Sequence, residues 1–118
     1  MGNHSYQTKD DYPDYASVVA QKVSKNKKAK GILLCGNGVG VCVVANKYKG
    51  IRAVNAQSVA VAQESRADDD TNILCLGGRH ISFVKAKKII DVWLKTKLKK
   101  NPKYKRRINK IKRLESKK

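Results

Sequence analysis

GILLCGNGVGVCVVANKYKG, residues 31–50, places an apolar run, a glycine loop and a helical pattern in direct succession. GILLC has the length and composition of a buried strand, and it ends on Cys35. Gly36, Gly38 and Gly40 follow at alternate positions, and VCVVANKYK (41–49) reads as a helix closed by Gly50. Glycines at a strand end let the backbone turn sharply and bring N–H groups close to an anion. The same spacing also serves a plain strand-to-helix turn. The loop is not a nucleotide-binding P-loop, because no GK[ST] follows, and GxGxG is not the GxGxxG of dinucleotide folds. A thiol at such a strand end can act as base or nucleophile, although a cysteine there can equally be packing.

Outward from this stretch the pattern repeats. DYPDYASVVAQKVSK (11–25) reads as a helix opened by Pro13 and Asp14, with Tyr15, Val18, Val19 and Val23 as its apolar stripe. Basic, turn-like KNKKAK (25–30) separates it from the first strand. IRAVNA (51–56) is a second strand, Ser58 caps a helix over VAVAQESRA (59–67), and the acidic DDD at 68–70 ends it. NILCLGG (72–78) is a third strand with a glycine exit. Ser82 opens a helix with Phe83, Ala86, Ile89, Ile90, Trp93 and Leu94 at helical spacing. Pro102 breaks that pattern, and KYKRRINKIKRL carries Tyr104, Ile108, Ile111 and Leu114 on one side. Strands alternating with helices predict a single α/β domain over 1–118. Its architecture is a three-layer α/β/α, Rossmann-like parallel sheet, and a basic C-terminal helix and tail occupy 102–118. Three strands make a small platform for helices on both faces, so more sheet or a partner is expected.

Composition narrows the classes. Hydrophobic residues make up 41% of the 118, enough for a globular core. No apolar run approaches membrane-spanning length, and the polar start has no signal-like segment, so the cytoplasm is the expected compartment. Cys35, Cys42 and Cys75 lack CxxC spacing; Cys42 and Cys75 are expected to be buried, reduced thiols. His4 and His80 stand outside any motif, and the DDD run reads as solvated, so no metal site is expected. Net charge is +18, and sixteen of the 27 Lys and Arg lie in 85–118 beside only Asp91 and Glu115. Such a field suits phosphate capture or a solvated face, and it also supports a rival reading as a nucleic-acid-binding protein.

DYPDYA (11–16), the string CGxGxGxxxxANKxxGIRA from Cys35, TNILCLGGR (71–79) and KYKRRINKI (103–111) closely resemble the ribose-5-phosphate isomerase B and galactose-6-phosphate isomerase family. The resemblance runs in order from about Asp11 to Ile111. It implies an aldose–ketose sugar-phosphate isomerase, most simply ribose 5-phosphate to ribulose 5-phosphate, working through an enediolate without cofactor or metal. By that resemblance Cys35 is the proton-transfer base, and the backbone of Gly36, Asn37, Gly38, Val39 and Gly40 receives the enediolate. Asp69 then touches the sugar, while Arg79, Lys103 and Arg107 bind phosphate. Family members are dimers or tetramers with sites at the dimer interface, so Asp69 and Arg79 are expected to serve a neighbouring chain.

The departures from the family pattern set further expectations. Asn37 stands where the family has threonine or serine, and its amide can still hydrogen bond. Asp68 and Asp69 replace a His-Asn pair; Asp68 is the ring-opening candidate, though an ionised carboxylate is a poor acid. Lys103 replaces an arginine and loses the bidentate fork. A strand–helix–strand of about 30 residues, carrying an Asp-His motif in a sheet of five strands, has no counterpart before DYPDYA. A truncated start is the expectation; a complete chain of this length is expected to be weakly active or inactive, or a non-catalytic subunit of a hetero-oligomer.

Overall fold

The structure, a computed structural model, describes residues 11–116. His4 and the polar start lie outside the described residues. The element order is α1 (Tyr12–Lys25), β1 (Gly31–Cys35), α2 (Val39–Ala45), β2 (Ala53–Asn55), α3 (Val59–Asp69), β3 (Ile73–Gly77), α4 (Phe83–Lys95) and α5 (Pro102–Glu115). The strands form a parallel sheet in the order β1–β3–β2. Gly31 pairs with Ile73 and Cys35 with Gly77, while Ala53 on the other side also meets Ile73.

The middle strand explains the layers. Every residue of β3 is buried, and successive side chains point to opposite faces. Ile73 and Cys75 therefore join Val19, Val23, Leu33, Val41 and Ile51 in a core under α1 and α2. Leu74 and Leu76 face the other way and join Ala62, Ile89 and Trp93 under α3 and α4. Ser58 and Ser82 cap α3 and α4 as expected, accepting from Val61 N (3.2 Å) and Lys85 N (3.1 Å).

Tertiary hydrogen bonds trim several elements. α2 begins at Val39 and stops at Ala45, short of the expected 41–49, because Asn46 turns its side chain to the backbone of Ala53. Its Oδ1 accepts from Ala53 N at 2.8 Å, and its Nδ2 donates to Ala53 O at 3.1 Å. β2 keeps only three residues, since Arg52 N donates to the Asn72 side chain (2.8 Å) and not to a strand. The apolar stripes are also wider than the faces that cover them. Phe83 is 85% exposed and Leu94 and Leu114 also lie at the surface, so α4 buries Ile89 and Trp93 and α5 buries Ile108. No helix among the described residues is long and apolar enough to cross a membrane.

Trp93 is fully buried, and its indole N–H donates to Thr71 Oγ1 at 2.9 Å, which in turn shares a 2.9 Å hydrogen bond with Ser65 Oγ. Thr71→Val leaves that buried N–H without an acceptor and should cost about 1–3 kcal/mol. Trp93→Ala removes the largest core side chain and should cost about 3–5 kcal/mol. Urea unfolding followed by circular dichroism measures both.

Candidate functional site

The glycine loop closes over the carboxyl ends of β1 and β3, where open α/β sheets bind ligands. Gly77 lets it do so: a side chain there would sit 2.7 Å from the Asn37 backbone. Gly78 N then donates to Cys35 O (2.8 Å) and Arg79 N to Gly36 O (2.9 Å), tying the β3 exit to the loop. Gly38 adopts φ +76°, a left-handed conformation that glycine takes without strain.

This turn aims Gly38 N–H at the Cys35 sulfur, which accepts at 3.0 Å. Asn37 Oδ1 accepts from Val39 N at 2.9 Å and lies 3.9 Å from the same sulfur. Two of the amides expected to receive an enediolate are thus engaged within the loop. α2 starts here, so its remaining first-turn N–H groups lack acceptors within the helix. The Arg79 guanidinium lies against the loop of its own chain, its Cζ 2.7 Å from where a Gly36 Cβ would be, and the Tyr12 ring packs in the same way against Gly40. Cys35, Asn37, Arg79 and the glycines therefore form one cluster, a half-buried thiol beside a cation.

Cys75 lies beneath it, fully buried. Its thiol is pushed up by the hydrogen bond with Cys42, then by burial and by the neighbouring thiols Cys42 and Cys35. Cys75 is a packing residue, as expected. Cys42 is only half-buried, because its helix faces solvent on the other side.

The remaining candidates lie elsewhere. α3 runs against the strands, so its C-terminus reaches the amino ends of the sheet, about 13 Å from the thiol end across a five-residue strand. Asp68 sits there, 2.8 Å from Lys99 Nζ, and Asp69 offers its carbonyl to Arg52 Nε at 2.9 Å. Lys103 and Arg107 flank the same region through Tyr104, whose ring has Lys99, Lys103 and Arg107 at 4.9, 5.2 and 5.7 Å. The hydrogen bond with Asp68 leads the causes that push the Lys99 amine up. Asp68 does not join Cys35 and Asn37 within one chain, because topology sends them to opposite ends of the sheet.

Asn55 was not legible as a site residue. Its Nδ2 donates to Asn37 O at 3.2 Å from the end of β2, and its buried Oδ1 has no hydrogen-bond partner among the described residues. A polar residue closing the apolar IRAV was the available signal. Tyr12 left none, because only the packing of α1 on α2 brings it to Gly40.

Comparison with known proteins places this geometry in a family. The chain is 44% identical over 116 residues to a probable ribose-5-phosphate isomerase B of Mycoplasma genitalium, covering 98% of this chain and 76% of that one. It is 49% identical over 84 residues to ribose-5-phosphate isomerase B of Escherichia coli, covering 71% of this chain but 56% of the relative. The crystal structure of the M. genitalium enzyme with bound ribulose-5-phosphate superposes with a TM-score of 0.94 at 42% identity, covering all of this chain and 78% of the other. The type B enzyme of Trypanosoma cruzi gives 0.95 at 35% identity, with the same coverage. The family profile described as Ribose/Galactose Isomerase matches residues 1–111, and the chain belongs to that family of sugar-phosphate isomerases.

Proposed function

We propose that this chain interconverts ribose 5-phosphate and ribulose 5-phosphate, with Cys35 as the proton-transfer base. The observation that carries the reading is the Cys35 sulfur, held by Gly38 N–H at the loop mouth with the Arg79 guanidinium alongside. In the open-chain sugar, sulfur takes the C2 proton and leaves an enediolate. The same proton returns to C1 as O1 and O2 exchange the hydroxyl proton. Backbone N–H groups of the loop offset the developing oxyanion, and the Arg79 cation binds the substrate's phosphate. The M. genitalium relative, solved with ribulose-5-phosphate, supports this choice of sugar. Three free thiols fit a reducing, cytoplasmic setting.

The distance between the two ends of the sheet supports a shared site. Asp69, Lys103 and Arg107 do not reach the thiol of their own chain; in a homodimer, one protomer's basic end meets the partner's thiol end. Phosphate then binds to cations that the ring of Tyr104 holds together.

Turnover of ribose 5-phosphate by the chain is the direct test, and an inactive chain would return the non-catalytic readings to the front. Cys35→Ala should lower kcat by about 10²–10⁴-fold, while Arg79→Ala should mainly raise KM. Mixing Cys35→Ala with Arg107→Ala chains should restore about a quarter of wild-type activity through mixed dimers; each variant alone stays inactive. Iodoacetamide should label Cys35, ribulose 5-phosphate should slow that labelling, and Cys75 should stay unlabelled until the protein unfolds, as read by peptide mass spectrometry.

A further inference from the structure

A cationic cavity opens at the amino ends of the strands, away from the thiol. It measures about 380 Å³, within the range of small-ligand sites, and Lys27, Lys28, Lys30, Arg52, Arg66 and Asp70 line it. Five cations thus face one carboxylate. The two arginines form its rigid floor. Arg66 is 7% exposed and donates to Thr96 O (3.2 Å), Thr71 O (2.6 Å) and Asp70 Oδ1 (2.8 Å). Arg52 donates to Asp69 O and to Asp70 O, and its Nη2 lies 3.6 Å from Asp70 Oδ2. Both guanidinium groups therefore share the single charge of Asp70. Arg52 Nη1 and Arg66 Nη2 have no acceptor among the described residues.

Above this floor the exposed 26–30 turn carries three lysines. It is shaped by local hydrogen bonds, Lys28 N donating to Asn26 Oδ1 at 3.0 Å and Ala29 N to Asn26 O at 3.0 Å. The turn brings these three exposed lysines to the rim of the cavity that the arginines floor. Planar guanidinium below and flexible ammonium above suit a ligand carrying several linked phosphate charges better than a single phosphate. We propose that this cavity binds an oligophosphate, free or as the phosphate chain of a nucleotide, at a site separate from the Cys35 loop.

The test is isothermal titration of the full chain with tripolyphosphate, in the presence of saturating ribose 5-phosphate. One tripolyphosphate should bind per chain, at least tenfold tighter than inorganic phosphate. The K27A/K28A/K30A variant should lose at least tenfold in affinity. K85A/K87A/K88A removes the same charge from the exposed face of α4 and should change it by less than twofold. A parallel titration with ATP separates the sources: tighter binding than tripolyphosphate assigns the site to nucleotides, and equal binding to the phosphate chain alone. Equal losses in both triple variants would overturn the site in favour of net charge. Displacement by ribose 5-phosphate would move the binding to the loop and overturn it as well. Preference for a single-stranded oligonucleotide over tripolyphosphate would replace the proposal with a nucleic-acid surface. The lysine variant's circular dichroism spectrum, matching the wild type, excludes misfolding as the cause of a loss.

Discussion

The absence of a side chain at Gly77 is the steric condition on which the site depends. With a Cβ at that position, the Asn37 backbone could not cross the end of β3. Residues 36–38 would then be displaced, and Gly38 N–H would no longer point at sulfur. Parallel pairing supplies the other half of the condition, because the β1–β3 register brings Cys35 level with Gly77. One strand position thus fixes the turn, and the turn fixes the orientation of the thiol. The neighbouring links, Gly78 N to Cys35 O and Arg79 N to Gly36 O, hold the two chain segments in that relation.

The same parallel topology divides the charged chemistry between two ends. Helices α1 to α4 each run from the carboxyl ends back to the amino ends, so the loops after strands and the loops after these helices lie at opposite ends of the sheet within one chain. Cys35, Asn37 and Arg79 follow strands. Asp68, Asp69 and the 26–30 turn follow helices, and α5 begins close to that end through Lys99 N donating to Ala67 O at 2.9 Å. Parallel sheets in general make residues that are close in a motif distant in space when a helix lies between them.

Much of this was legible in the sequence because the signals are local. The order of helices and strands follows from apolar period, and Ser58 and Ser82 mark their helices by a hydrogen bond only three residues long. Cys35 and the glycines could be singled out because the turn is encoded within six residues. What was not legible depends on partners far along the chain. α2 ends early because Asn46 bonds Ala53, Asn55 matters because Asn37 folds over it, and Tyr12 meets Gly40 only through helix packing. Phe83 and Leu94 satisfy the period of α4, yet whether a neighbour covers them is not written in their spacing. Asp68 and Asp69 were identifiable by resemblance, but their separation from the thiol is a property of topology.

The ring of Tyr104, with three cations about it, has a kinetic meaning. Ammonium and guanidinium groups gathered about one ring repel one another, and a ring face offsets part of that repulsion. The resulting patch projects a positive field beyond the surface, within a screening length of about 8 Å at physiological ionic strength. An anion diffusing past is drawn toward the start of α5 before it touches any residue. Association at that end should therefore be fast in dilute buffer and slow down as salt is added, while the dissociation rate changes much less.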